Sequence, residues 1–464
     1  MRCAELSLFS FIHMKADIIV VGGGAAGLMA AYGAADTLVR SGRDASVVVL
    51  EKMPRPARKV MITGKGRCNF TNLKDWNEFS GHIRTNPNFV KPSFFNLTPQ
   101  KLMDFFEAYG MPCVVERGDR AFPESHRASD VVDTLMNACL GKGVKIETES
   151  AVKTVEKTEE GFRLGMENGG VWTCRKLIIA TGGLSYPGTG STGDGLRWAS
   201  ELGHRLVPTF PSLTALVPKG YKRQEVKDLH IDRSTPFAEL GEKLSGVSLK
   251  NVGVQLMVQD TLAQDEFGDI DFTDGGLEGP VGFQISRKAV KSLLNGSRVS
   301  VNIDMKHGVP LEELLVRVRE LWKEVDHDPG SARLREKEKC RILLGKLMPW
   351  DLIPAFLDCH PQIISLERRG RTDTKVWVNM LEIAKALKCW RFEIAGYVGY
   401  ERCVVTAGGV STDEVVAKSL ESKLVSGLHL CGELLDMDCD TGGYNLQLAF
   451  STGLLAGQSA ANKL

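Results

Sequence analysis

No two of the eleven cysteines lie within four residues of each other, so the chain has no CxxC pair. That leaves no zinc-type pair and disfavours the dithiol chemistry of pyridine-nucleotide disulfide reductases. No metal site is expected, and an odd set of scattered cysteines reads as reduced thiols in a cytoplasmic protein. Long apolar runs are missing too. No stretch reaches the ~20 apolar residues of a membrane span. The run Leu8 to Ile12 is too short for a signal-peptide core, and no small-residue cleavage site follows it. No membrane partner is expected. An excess of one charge is also absent: 58 Lys and Arg face 57 Asp and Glu, a net charge of +1. Such a chain carries no global field for nucleic acid, and no nucleic-acid partner is expected. There is no internal repeat and no low-complexity tract.

What remains is an ordinary soluble composition, with 43% hydrophobic and 25% charged residues. The 464 residues suggest about three domains. The 48 glycines cluster in a few places, as nucleotide-binding loops require. In "ADIIVVGGGAAGLMAAYGAADTLVRSGRDASVVVLEK", Ile18 to Val21 is a β-branched run suited to a strand buried on both faces. Gly22-x-Gly24-x-x-Gly27 follows at once, with Ala25 and Ala26 inside it. A helix to about Arg40 and a second strand, Ser46 to Leu50, come next. Glu51 stands 24 residues after Gly27. Gly22 permits the turn, Gly24 admits a diphosphate, and Gly27 lets helix pack on strand. The helix N-terminus attracts the phosphates. Glu51 can hold ribose hydroxyls and would repel a 2′-phosphate. In this context the motif signals dinucleotide binding rather than a ligand-free turn. A second match, Gly188 to Gly193, reads as a decoy, because Thr181 to Pro187 separates it from its strand and no acid follows at the right distance.

The C-terminal stretch "GLHLCGELLDMDCDTGGYNLQLAFSTGLLAG" decides for FAD. A short strand, Leu428 to Cys431, ends in Gly432-Glu433, and Gly442-Gly443 opens a helix from Tyr444 to Ala456. The Gly-acid pair suits a ribityl chain. The helix N-terminus suits the flavin N1/C2 edge, where negative charge grows on reduction. "LIIATGG", Leu177 to Gly183, supplies a strand that turns on small residues.

The segments "VVGGGAAGLMAA", "RKVMITGKGRCNFTN", "RAFPESHRASDVV", "ATGGLSYPGTGSTGDG", "VTAGGV" and "GELLDMDCDTGGYNLQLAFSTG" occur in this order along nearly the whole chain. Together they resemble the YhiN/BaiN-like flavoproteins, a family with aminoacetone-oxidase-like and bile-acid-dehydroxylation-type members. The resemblance implies an α/β protein whose Rossmann-like FAD-binding domain is formed by both chain ends. It further implies an inserted β-barrel-like domain, itself interrupted by a helical domain.

The residues support such an insertion. Pro208 to Met305 holds short β-rich runs, and Pro310 to Lys388 turns to helical periodicity in "LEELLVRVRELWKEV", "ARLREKEKCRILLGKLM" and "KVWVNMLEIAKALKCW". The expected boundaries are an N-terminal extension, 1–14; the first part of the FAD domain, 15–207; the barrel-like domain, 208–308; the helical insertion, 309–390; a return strand, 391–403; and the second part of the FAD domain, 404–464. "RLREKEK" reads as a solvated helix face and "ERRGRTDTK", Glu367 to Lys375, as a basic surface loop.

For the cofactor the candidates are Gly22, Gly24, Ala25, Ala26, Gly27, Glu51 and Lys52 at the ADP end, with Val152 where related folds contact adenine. Thr181 and Gly182 flank the diphosphate. Gly432, Glu433, Gly443, Asn445 and Leu446 serve the flavin end. "GKGRCNFTN" reads as a cofactor loop in which Gly64 and Gly66 allow close approach and Arg67 or Asn69 donates to phosphate or flavin. Cys68 reads as a packed thiol. No catalytic residue stands out. Tyr186, in a loop that the resemblance places beside the flavin, and His126 are candidate proton carriers. Arg120 and Arg127 are candidate anion contacts or salt-bridge partners. Asp274 is a third catalytic candidate: relatives read close to F-T-H-x-G-x-S-G-P, whereas this chain has "FTDGGLEGP", with Asp274 for His and Glu278 for Ser. That departure changes the charge of the site, so a relative's substrate is not carried over.

The expected function is an FAD-dependent oxidoreductase passing a hydride through flavin N5. The favoured form is a reductase of a C=C bond conjugated to a ketone in a small molecule, with NAD(P)H as transient donor. The alternatives are an amine oxidase producing hydrogen peroxide and an RNA-modifying flavoprotein. Oligomeric state is not legible.

Overall fold

Ile18, Ile19 and Val20 expose nothing to solvent. In the computed structural model, which describes residues 13–223, 228–369 and 373–464, they lie in the middle of a seven-stranded sheet. Their strand, His13–Val21, pairs in parallel with Val47–Leu50 on one side and Val171–Ile179 on the other. The strand starts earlier than the sequence reading placed it. His13 and Met14, assigned there to an extension, pair with Val171 and Trp172, and Met14 packs against the core. Residues 1–12 lie outside the described residues.

Lys145–Glu147 extends the sheet beyond Val47–Leu50. At the other side, Val171–Ile179 pairs with two partners along one edge. Its first half meets Gly161–Met166 in antiparallel fashion, and a meander continues to Val152–Thr158. Its second half takes Leu428–Leu430 in parallel. The chain's last segment therefore completes a sheet begun by its first. Two helices, Ala25–Arg40 and Tyr444–Asn462, seal the closure. Their backbones touch: a Cβ added at Gly453 would stand 2.2 Å from the Ala26 carbonyl oxygen, and one at Gly457 1.9 Å from that of Ala30.

One compact unit takes the residues up to Phe210 and Val404–Leu464; the other is Pro211–Cys403. The second unit holds a closed six-stranded barrel in the order Leu216–Pro218, Gly276–Glu278, Thr261–Thr273, Ser248–Val258, Val299–Asp304, Trp390–Tyr397. The stretch read for its short β-rich runs also contains a long helix, Gly279–Leu294, with Val281, Ile285, Val290 and Leu293 buried along one face. Pro280 sits at its first turn, where a missing N–H costs nothing. The Gly-rich turn ahead of it hides this start. Between the last two barrel strands lie the helices Leu311–His327, Glu336–Gly345, Ile353–Cys359 and Met380–Lys388. Lys375 to Val378, read as the start of a helix, belongs instead to the strand Asp373–Val378, paired with Ile364–Arg369. Val376, Trp377 and Val378 favour a strand. The helix begins only after Asn379, whose side chain accepts the N–H groups of Leu381 (3.1 Å) and Glu382 (3.2 Å). Residues 370–372 of the basic stretch lie outside the described residues. Among the described residues no helix is long and apolar enough to cross a membrane.

Two predictions follow from this packing. Gly457→Val drives a branched side chain into a carbonyl, so it should destabilise the fold by about 3 kcal/mol, read as a lowered Tm or denaturant midpoint. The second concerns His429, fully buried on the returning strand, with neither ring nitrogen hydrogen-bonded among the described residues. Burial pushes its pKa down to about 4, against the pull of Glu421. The unfolded chain binds this proton near the ordinary value of ~6.5. The contribution of a neutral His429 is therefore complete above that pH and fades as pH falls toward the folded value, by at most about 3 kcal/mol. His429→Phe should flatten this fall in denaturant titrations; an unchanged slope would assign the acid sensitivity to other groups.

Candidate active site

The turn after the first strand is built on glycine for two separate reasons. Gly22 has φ +102°, and a Cβ at Gly27 would lie 1.8 Å from the Gly22 carbonyl oxygen. Gly24, by contrast, faces open space. The loop after the second strand grips this turn from both sides. The Glu51 carboxylate accepts the N–H of Gly23 (2.7 Å) and of Met53 (2.8 Å). The N–H of Ala57 donates to the Gly23 carbonyl at 2.9 Å. Burial raises the Glu51 pKa above the usual carboxylate range, and the two N–H donors oppose the rise.

A cleft opens over this turn. Of the residues singled out in the sequence, its wall contains Gly22, Gly24, Ala25, Ala26, Glu51, Lys52, Val152, Thr181, Gly182, Glu433, Asn445 and Leu446. Gly27, Gly432 and Gly443 are not part of the wall. Gly432 lies against Ala26, and Gly443 against the Thr71 carbonyl. Asn445 is occupied: its Oδ1 accepts the Cys439 N–H (2.9 Å), and its Nδ2 donates to the carbonyls of Cys439 and Asp440 (3.0 Å each). It sets the loop that leads into the helix Tyr444–Asn462.

The segment Gly64 to Asn69 is not part of the wall. Gly64, Lys65, Gly66 and Cys68 all have left-handed φ, between +56° and +88°. This curl sends Arg67 elsewhere. Its guanidinium pairs with Glu116, lies 4.5 Å from the Phe122 ring centre and donates to His126 Nδ1 at 3.1 Å. Asn69 keeps a buried Oδ1 with no hydrogen-bond donor among the described residues. Cys68 is fully buried and its pKa is pushed up to about 12 by burial, so it is no thiolate nucleophile.

The second glycine motif, read as a decoy, does reach the cleft: Thr189, Gly190, Ser191 and Asp194 form part of the wall. Lys52 ties it there, donating to Thr192 (2.5 Å) and Asp194 (2.7 Å). Burial pushes the Asp194 pKa up, but the bonds from Lys52 and Thr192 outweigh it and hold it low. Sequence reasoning also missed a network around Glu433. Lys59 pairs with its Oε2 at 2.6 Å and with the Ser185 hydroxyl. Ser185 donates to Oε1 at 2.7 Å, and the Thr406 N–H does so at 2.9 Å. A lysine in "ARKV" carries no sequence sign that it faces inward.

The catalytic candidates fall in different places. Tyr186 has φ +52°, and its carbonyl accepts the Thr189 N–H at 2.8 Å; it is not in the wall. His126 joins the Arg67–Glu116 cluster. Arg127 faces Asp130 (3.6 Å), and Arg120 donates to the Arg117 carbonyl (3.0 Å). In the second unit, Asp274 binds Arg402 (2.7 Å) and Arg233, and Glu278 binds Arg402 (2.9 Å). Burial raises the Asp274 pKa, but the two arginines outweigh it and keep it below the ordinary range. Asp274 is thus a carboxylate at neutral pH and has no proton to donate.

A family model described as HI0933-like protein Rossmann domain matches residues 16–459. The chain belongs to this family. It is 31% identical over 444 residues to a 3-dehydro-bile acid delta(4,6)-reductase of Clostridium scindens, covering 96% of this chain and 98% of that one. It is 29% identical over 444 residues to a ribosomal RNA dihydrouridine synthase of Escherichia coli, with 95% and 97% covered. A protein of the same name from Haemophilus influenzae is 30% identical over 437 residues, with 94% and 96% covered. The HI0933-like protein is an FAD-dependent oxidoreductase, and the residues present fit that cofactor. The open side of Gly24, the helix N-terminus behind it and Glu51 suit an ADP moiety.

Asn445→Ala removes three hydrogen bonds from the loop leading into the last helix. It should cost about 2 kcal/mol of stability and lower the FAD-to-protein ratio measured by absorbance. A fully loaded, equally stable variant would show that the loop holds without it.

Proposed function

We propose that this HI0933-like protein reduces a carbon–carbon double bond conjugated to a carbonyl in a small organic substrate, with NAD(P)H as electron source. FAD supplies a hydride from N5 when bound. The observation that carries the reading is chemical. One relative is named as a delta(4,6)-reductase of a 3-dehydro-bile acid, and two others as dihydrouridine synthases. Both names describe hydrogen added across a C=C bond in conjugation with a carbonyl. The chain's own contribution is binding and electrostatics. The helix Tyr444–Asn462 has no acid in its first turn and no side-chain cap, so its N-terminal N–H groups favour negative charge on the ring edge they face. The Lys59–Glu433–Ser185 network fixes a charged pair in the same wall. The cofactor contacts proposed for Gly22, Gly24, Glu51 and Glu433 rest on this arrangement.

A second reading takes a uridine in RNA as the substrate and is favoured by the names of two relatives. It needs the same hydride chemistry and differs only in what is presented to the flavin.

Anaerobic stopped-flow mixing tests the proposal. NAD(P)H should bleach the visible flavin band, and a 4-ene-3-one should restore it with formation of the saturated ketone. Bleaching by amines alone, followed by rapid peroxide release in air, would replace it with an amine oxidase. Dihydrouridine formed in ribosomal RNA, with enones inert, would select the RNA reading.

A further inference from the structure

The cleft wall carries the cationic side chains Lys52, Arg55, Arg58 and Lys59. Three of them have acidic partners: Lys52 faces Asp194 at 2.7 Å, Arg55 faces Asp133 at 3.2 Å, and Lys59 faces Glu433 at 2.6 Å. Arg58 is half-buried and makes no ion pair or hydrogen bond with any described residue. Glu51, the remaining acid of the wall, is turned to the N–H groups of Gly23 and Met53.

The backbone brings this cation to the glycine turn. Ala57 is held at φ +54°, and its N–H is bonded to the Gly23 carbonyl at 2.9 Å, so Arg58 is the next residue beyond that clamp. The helix that starts there, Ala25–Arg40, has no acid in its first turn and no side-chain cap. Its N-terminal N–H groups are therefore uncompensated as well. Two positive elements, neither with an anion from the protein, share one wall of one cleft. A half-buried guanidinium without a partner loses hydration and gains nothing in return, unless a ligand brings the missing charge.

We propose that Arg58 binds the diphosphate of the dinucleotide at the N-terminus of the helix Ala25–Arg40. The proposal rests on the assignment of FAD to this cleft. It transfers to Arg58 the phosphate contact that the sequence suggested for Arg67, whose guanidinium is held by Glu116. A guanidinium offers two parallel N–H donors to phosphate oxygens, which a lysine cannot reproduce.

Apoprotein variants Arg58→Ala and Arg58→Lys, titrated with FAD and separately with ADP and adenosine, test it. Arg58→Ala should weaken FAD and ADP alike by roughly ten- to a hundredfold. Adenosine should be unaffected, and the salt dependence of FAD binding should flatten. Arg58→Lys should recover only part of the loss. Arg58→Gln, which keeps the stem, serves where alanine unfolds the turn. FAD and ADP bound as by the wild type would overturn the proposal. So would an equal loss of adenosine, which would make Arg58 a packing residue. Wild-type protein that is colourless and takes up no FAD would instead remove the cofactor assignment on which the proposal stands.

Discussion

Two helices from opposite ends of the chain approach so closely that only hydrogen fits between their backbones at Gly453 and Gly457. Everything functional hangs on that contact. It seats the helix Tyr444–Asn462 against Ala25–Arg40, the helix whose N-terminus faces the cleft. It also accompanies the pairing of Leu428–Leu430 with Val171–Ile179, after which the chain turns through Gly432 to deliver Glu433. The sequence separation is about the whole chain, so the loop-closure entropy must be recovered by dense packing. Glycine and alanine achieve this because they let main chain meet main chain with little side-chain entropy to lose.

The cleft is electrostatically ordered in pairs. Lys52 with Asp194 joins the second strand to the second glycine loop, and Lys59 with Glu433 joins an early segment to a late one. Each pair is partly exposed, and such pairs add little to stability. Their effect lies in position, since they fix where charge stands in the wall. The second unit follows the same logic. Arg402 and Arg233 answer the two acids Asp274 and Glu278.

The glycine turn, Glu51 and the returning strand and helix were legible because each is a local pattern with one physical use: a β-branched run, a spacing of glycines, an acid at a strand end. The direction of Arg67 was not legible, because it depends on the left-handed curl at Lys65 and Cys68, conformations that non-glycine residues seldom adopt and sequence does not announce. Lys59 was overlooked because its partners Ser185 and Glu433 are distant in sequence and meet only through tertiary structure. The helix Gly279–Leu294 hid behind a Gly-Pro pair that reads as a turn, although the same proline favours a helix start.

The returning strand has a bearing on biosynthesis. While the ribosome is still reading the middle of the message, the half of Val171–Ile179 that later pairs with Leu428–Leu430 has no neighbour on that edge, and the cleft lacks the part of its wall that Glu433, Asn445 and Leu446 supply. The nascent polypeptide can shape the glycine turn before the returning strand and helix complete the cleft. The interval before the final segment docks is when this unpaired sheet edge most needs shelter from its neighbours.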